Sequence, residues 1–559
     1  MFEHITIVPI LVPSYYLISL NFYRRLERQL IEYAKPSTRS EGKHYCRSQH
    51  SRFHHLHHII LFSLIFLKTV ITYCRDRKKQ IKSLWRRSFP ILKTEAEVLQ
   101  AKETRDRLTS NGIDLFIGSV EFVDAEGNGS DVTLRVCRPT ECVEVVARHA
   151  AIASGSRPNR PSELPSGVHL PFLKGRVVTA SEMALVALPT SIAIIGGGVI
   201  AVEYATVFAQ LGVGVSLICS DDEFLPFLEE EIRSSLRERM SREHILFVRD
   251  TVREIRVDNS SIGVVLNPSI SKRTPMKDRV IPERRLKVDL VLYSGGRNAN
   301  SEGLELEAVN VSTSKYGRIV VDKAFRTTSS KSIFAIGDVI GPPGLASAAQ
   351  QHGRSVSETL FGGSEDDEDD IDEDGDYAEF SDEQDNFFSS SSTGTEGGQD
   401  GLQQDAADTL FGASSGTITM DAPLTLWTLP EIASVGATLK QAQKIEPRDK
   451  LVEGRAYFKD MARGRLSGDS QGYVKIIAKI GAKKHTIIGV HIIGEGANEL
   501  IQLGSILVHS AASLESVSRT PFAAVTLSGI YQMACDDALL KSPMRKKNRL
   551  SSLNSIADK

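Results

Sequence analysis

Ser191-Ile-Ala-Ile-Ile-Gly196-Gly-Gly198-Val199-Ile200-Ala201-Val-Glu203-Tyr-Ala-Thr-Val-Phe-Ala-Gln-Leu-Gly212 is the stretch that decides how this chain folds. A short apolar run is followed at once by G-x-G-x-x-A and then by a helical apolar pattern. Gly196 permits the tight turn, Gly198 lets backbone approach a pyrophosphate, and Ala201 is small enough for the helix to pack on the strand. The helix start would meet the phosphates with N–H groups and the positive end of its dipole. A purely structural glycine turn is the weaker reading, because the strand–turn–helix context is complete. The next strand ends in Ile218-Cys219-Ser220-Asp221-Asp222. An acid at the tip would accept hydrogen bonds from an adenosine ribose, but the tip is Cys219, with Asp221 two residues on. No Arg or Lys stands near to pair with a 2′-phosphate. The pattern disfavours strong NADP selectivity without enforcing NAD.

Outward from this unit, the sequence is regular over most of its length. Glu95–Asn111 reads as an amphipathic helix with Val98, Ala101, Thr104 and Leu108 on one face, stopped by Asn111-Gly112. Short alternating strands follow to Ile152, and more strands run to Ile336. A second ordered block, Thr417–Leu540, mixes strands with helices around Asn498–His509 and Val525–Leu540. The whole chain has 559 residues, 41% hydrophobic and 25% charged, the composition of a soluble globular protein of three or four domains. Its net charge of −3 hides an asymmetry. Residues 1–93 carry 17 Lys/Arg against 5 Asp/Glu, while residues 365–385 carry 14 Asp/Glu and no Lys or Arg. Residues 364–407 hold few large apolar groups and are expected to be disordered.

Six cysteines do not make a disulfide framework. Cys137 and Cys142 have C-x4-C spacing, but they lie in two alternating strands around a turn, so a hairpin is the better reading than a flavin-linked redox pair. At the start of the chain, Ile5–Tyr23 and Ile59–Tyr73 are apolar without being clean spans of ~20 uncharged residues. The six histidines between His44 and His58 lack metal-ligand spacing. A membrane tether, a targeting extension and a segment that is no folded domain all stay open there, the last slightly favoured. Nothing points to nucleic acid or to a metal.

Further residues carry a resemblance. Ala153-Ser154-Gly155-Ser156-Arg157-Pro158 resembles the A-[ST]-G-S-x-P segment of flavoprotein reductases. Ser294-Gly295-Gly296-Arg297-Asn298 is similar to their G-R-x-P-N return, without the proline. Ser332-Ile-Phe-Ala-Ile-Gly337-Asp338-Val339 resembles their second flavin motif, followed by Leu345-Ala346-Ser347-Ala348-Ala349. Thr428-Leu-Pro430-Glu431-Ile-Ala-Ser-Val-Gly436 resembles the opening of their dimerisation domain. The superfamily is the class I pyridine nucleotide-disulfide oxidoreductases. Within it, Gly337–Ala349, Glu453–Lys459 and Ile488–Glu495 are most similar to the soluble, Si-specific pyridine nucleotide transhydrogenases. The His-x-x-x-x-x-Glu dyad of lipoamide dehydrogenases and glutathione reductases has no counterpart in Thr520–Gly529.

The resemblance implies two Rossmann-like, three-layer dinucleotide-binding domains plus a C-terminal α+β dimerisation domain. It divides the chain into a basic extension (1–93), a first part of the FAD domain (94–165), an NAD(P) domain (166–303), a second FAD part (304–361), an acidic insertion (362–416), a dimerisation domain (417–541) and a basic tail (542–559). It implies a homodimer in a soluble compartment that uses FAD, NAD and NADP and moves hydride between NADPH and NAD, with no side chain acting as catalyst. Gly196, Gly198, Val199, Ile200, Ala201, Glu203, Cys219 and Gly296 would serve the nicotinamide nucleotide. Gly118, Ser154 and Gly155 would lie near the flavin adenosine, Asp338 on the ribityl chain and Ala346 by the ring. The family's opening flavin G-x-G-x-x-G has no match before Thr94, from which poor FAD affinity is expected. Rival readings are another flavin-dependent NAD(P)H oxidoreductase, such as a diaphorase, and a flavin-less remnant.

Overall fold

The computed structural model describes residues 6–7, 101–125, 131–164, 166–220, 222–267, 284–328, 330–361, 422–467, 471–482 and 484–543. The expectations for an N-terminal tether, for a disordered acidic insertion and for the basic tail beyond 543 fall outside these residues. No helix among the described residues is long and apolar enough to cross a membrane.

Five parallel strands form the sheet around the glycine loop, in the order Leu246–Val248, Gly214–Ile218, Ser191–Ile195, Leu290–Tyr293, Val177–Thr179. Leu290–Tyr293 is buried at all four positions, as a strand covered on both faces requires. The helix Val199–Gln210 is buried from Ala201 to Phe208. One side packs on the sheet, and the same core takes in Leu424, Leu426, Ile432, Tyr473 and Ile493 of the C-terminal block. This second partner explains why the helix carries no polar stripe.

A second, smaller sheet joins distant parts of the chain. Ala150–Ile152 pairs in parallel with Ser330–Ala335 on one side and with Thr6–Ile7 on the other. Thus a piece of the N-terminal segment, which the sequence offered no reason to place, extends this sheet. The chain passes between the two sheets twice, through Ser156–Pro158 and Arg297–Ala299, and these passages pair antiparallel. The C-terminal block is an antiparallel sheet in the order Leu424–Leu426, Ile432–Gly436, His485–Ile493, Tyr473–Ile480, Leu451–Tyr457, with the helices Ala497–His509, Leu514–Arg519 and Ile530–Lys541 packed on it. The architecture is the expected mixed α/β one.

Local readings fare unevenly. Residues 101–110 are helical, and the chain turns at Asn111-Gly112, with Gly112 at φ +71° and Ile113 N donating to Leu108 O. The last helix starts at Ile530 rather than Val525, because Val525 takes a left-handed φ of +59° in the preceding turn. Cys137 and Cys142 do face each other across the hairpin Val132–Cys137/Cys142–Ala147, and their sulfurs are bonded to each other. Among the described residues this local bridge is the one disulfide.

Where the C-terminal block meets the helix Glu230–Arg242, Lys475 is fully buried among carboxylates. Its Nζ lies 2.7 Å from Glu229, 2.8 Å from Glu231 and 2.7 Å from Glu453. Arg455 Nε donates to Glu231 at 2.7 Å and Arg455 Nη2 to Glu453 at 3.0 Å. Leu439 N donates to the other Glu229 oxygen at 2.9 Å. Burial alone would lower the Lys475 pKa; the carboxylates outweigh it and raise it. The Arg455 hydrogen bond, opposed by burial and helped by Lys475, brings Glu231 down to about 2.

Candidate functional site

The glycine loop leaves the strand Ser191–Ile195 with Gly196 at φ +121° and its N–H on Ile218 O at 3.0 Å. A Cβ at Gly196 would stand 2.8 Å from Ser294 O, so glycine is needed here for packing as well as for the turn. Gly198 is the N-cap of Val199–Gln210, and no side chain caps that helix. The first N–H groups therefore remain for a ligand. Val199 and Ile200 pack on the core, and Ala201 is fully buried. Cys219 is buried at the tip of the neighbouring strand, its N–H on Val248 O, with its Cβ 3.1 Å from where a Gly197 Cβ would stand. Ser294-Gly295-Gly296 runs along the opposite side, with Gly296 at φ +93°. Seven expected residues, Gly196, Gly198, Val199, Ile200, Ala201, Cys219 and Gly296, thus lie at one loop. Asp221 is outside the described residues.

The Ser294–Gly296 segment leads into a second polar corner. Arg297 Nε donates to Ser156 Oγ at 2.8 Å, and Arg297 Nη2 donates to Ser156 O at 2.7 Å. Ser156 Oγ donates in turn to Asp338 Oδ2 at 2.8 Å. Ser154 Oγ donates to Asn300 O at 2.7 Å, and Asn300 N to Gly155 O at 2.9 Å, which fixes Gly155 at φ +72°. Ala346 opens the helix Ala346–Phe361 just beyond. Gly337, at φ +72°, donates its N–H to His352 Nδ1 at 3.2 Å. Burial pushes His352 down to about 4, against the pull of Asp338, so the ring is a neutral acceptor at neutral pH. The structure brings Ser154, Gly155, Asp338 and Ala346 to this one corner. Ser156, Arg297 and His352 complete the corner. The sequence held them inside or near quoted motifs but gave no sign that Arg297 and Ser156, 141 residues apart, touch.

Two expected residues make other contacts. Glu203 is buried, and Trp427 N donates to its Oε1 at 2.8 Å. Burial raises its pKa to about 7 against that hydrogen bond. The folded value lies above the unfolded one, so stability is full below pH ~4.5 and is lost as pH rises through ~7. Glu203→Gln keeps an oxygen for Trp427 N and removes the ionisation. The variant's denaturation midpoint should gain on the parent's between about pH 5 and about pH 8. Parallel midpoints across that range would show that Glu203 does not titrate there. Gly118 has a packing role: a Cβ there would be 2.6 Å from Cys137 O.

Whether the residues suit dinucleotides can be judged from atoms left without partners. At the second corner Arg297 Nη1 is buried with no protein partner, a donor suited to an oxygen of a polyhydroxyl chain such as the ribityl of FAD. Asp338 Oδ1 lies beside Gly344, where a Cβ would be only 3.9 Å away. The glycine loop suits the pyrophosphate of NAD(P). Residues that would meet the FAD pyrophosphate are not among those described.

Comparison with known proteins follows the same outline. The model of the pyridine nucleotide-disulphide oxidoreductase family matches residues 56–353, beginning inside the segment read as an extension, and that of the family's dimerisation domain matches residues 422–535. The soluble pyridine nucleotide transhydrogenase of Pseudomonas aeruginosa (strain LESB58) is 30% identical over 460 residues, covering 81% of this chain and 82% of the relative. The Pseudomonas entomophila protein of the same name is 30% identical over 461 residues, with the same coverage. Among solved structures, LpdA from Mycobacterium tuberculosis superposes with a TM-score of 0.65 at 19% identity, over 86% of this chain and 89% of that one. The HOCl-induced flavoprotein disulfide reductase RclA from Escherichia coli gives 0.61 at 19% identity, over 84% and 88%. At such identities the two structures speak for the fold alone.

Proposed function

The chain belongs to the pyridine nucleotide-disulphide oxidoreductase family, whose members are FAD-dependent oxidoreductases, and from that premise we propose that it transfers hydride between NADPH and NAD. The observation that carries this reading is the continuity of Ser294–Arg297. One end backs the glycine loop at Gly196, and the other holds Ser156 beside Asp338. A nucleotide on the loop and a flavin at the corner would share this segment as a wall. FAD, when bound, supplies the hydride acceptor and donor; the protein supplies position. The turn at Gly196 and the uncapped start of the helix at Gly198 leave the first N–H groups of that helix for a pyrophosphate. Arg297 and Ser156 fix the Asp338 carboxylate, and the neutral His352 holds Gly337 in its turn.

Two features favour a nucleotide over a disulfide as the final acceptor. Thr520–Gly529 carries neither His nor Glu, and its Thr526 hydroxyl is spent on Ala523 O at 2.9 Å. The bonded cysteine pair sits on a hairpin of short strands, not beside a glycine loop. The 30%-identical transhydrogenases support the same choice, and the match to a dimerisation domain supports a homodimer. The test is steady-state turnover of the full chain supplied with FAD, with NADPH as donor. Reduction of a thionicotinamide analogue of NAD should outpace that of lipoamide or a quinone. Faster quinone reduction would make the protein a diaphorase instead.

A further inference from the structure

We propose that the Cys137–Cys142 bridge is a site of thiol–disulfide exchange with a partner protein carrying a reduced Cys-x-x-Cys pair. The step uses neither the flavin corner nor the nucleotide loop, so it stands apart from the hydride transfer. The two cysteines are five positions apart and directly opposite each other across the hairpin Val132–Cys137/Cys142–Ala147. A bridge closing so short a loop removes little freedom from the unfolded chain. The strand register and the buried Val132, Leu134 and Val136 hold the hairpin without it. The fold therefore tolerates opening of the bond. Access favours exchange as well: Cys142 is exposed and Cys137 half-buried, whereas the unbonded Cys219 and Cys535 are buried.

The surroundings of the bridge suit a protein rather than a small thiol. Among the described residues, Cys142–Ala147 is the edge of its three-stranded sheet, paired on one side only with Val132–Cys137. Next to the bridge this edge exposes Val143, at 43%. From the other flank Arg138 Nε donates to Ile117 O at 3.0 Å, which brings Ile117, 56% exposed, to the same tip. An accessible S–S bond is thus bordered by apolar side chains and an open strand edge, the footing that a docking polypeptide uses. Charges at the tip are matched, Arg138 with Glu141 and Arg135 with Glu121 and Glu144, so access governs the attack rather than a local field. The partner's thiolate attacks the exposed Cys142 Sγ. The Cys137–Cys142 bond breaks, and Cys137 leaves as a thiolate that takes a proton from water. The partner's second thiol, deprotonated, then displaces Cys142 from the mixed disulfide. Two electrons and two protons pass to the bridge, and the partner's dithiol becomes its disulfide.

The experiment mixes the full-length protein with a thioredoxin-type protein whose second Cys-x-x-Cys cysteine is replaced by serine, so that the mixed disulfide is trapped. Peptide mapping by mass spectrometry should find the adduct at Cys142, with Cys219 and Cys535 unmodified as a check against unfolding. Subdenaturing urea should change the trapping rate less than about twofold, because an exposed bond needs no opening of the fold. Val143→Thr combined with Ile117→Ser trims exposed side chains only. It should slow trapping about tenfold while leaving reduction by dithiothreitol within about twofold of the parent. An adduct at Cys137, or no adduct although dithiothreitol opens the bridge, would overturn the proposal. So would a bridge that opens only when Cys219 and Cys535 also become modified, or a double variant trapped as fast as the parent.

Discussion

Gly198→Val is expected to weaken nicotinamide nucleotide binding by more than about a hundredfold while the protein still folds. The two effects separate because of where Gly198 sits. Its φ of −77° is open to any residue, so the backbone has no need to move. As N-cap of Val199–Gln210, however, it stands where the pyrophosphate must approach the unpaired N–H groups. Two added methyl groups exclude the phosphates from those donors. Calorimetry with NADH reads the loss, and circular dichroism checks the fold. Unchanged affinity in a folded variant would remove the loop from the site.

Lys475→Met should give the largest loss of stability. Removing the lysine leaves the buried Glu229 without its cation, while the half-exposed Glu231 keeps Arg455 and the buried Glu453 keeps Arg455 and Arg448. Breaking a buried ion network from one side costs about 3–5 kcal/mol, because uncompensated charge remains behind. The thermal midpoint should fall by roughly 10 °C. The deficit should shrink when Glu229→Gln is added, since one uncompensated charge then disappears. If the single variant melts within about a degree of the parent, the cluster is solvated and holds no domain in place.

The signals legible in the sequence were local or compositional. The glycine loop reads from a dozen consecutive residues, because strand, turn and helix are neighbours along the chain. The stop at Asn111-Gly112 reads in the same way. The polar corner was half legible: Asp338 and Gly155 sit in recognisable short patterns, but the Arg297–Ser156 bond depends on two distant passages pairing in register. The Glu203 contact with Trp427 was hidden for a related reason. The place of Glu203 on the glycine-loop helix suggested a ligand contact, while the helix is buried on both sides and Glu203 meets Trp427 of a block more than two hundred residues on. Lys475 looks like an ordinary strand lysine until two carboxylates from one helix start and one from a neighbouring strand converge on it. Long-range pairing of charges leaves no periodic trace.

The central claim is that one flavin, positioned at Asp338, exchanges hydride with nucleotides bound on the Gly196–Ala201 loop. An anaerobic stopped-flow experiment on the FAD-supplied full chain tests it most directly. NADPH should bleach the flavin absorbance near ~450 nm, and NAD added in excess should restore it at a rate able to support turnover. A bleach that NAD fails to reverse, but lipoamide or a quinone does reverse, would contradict the account.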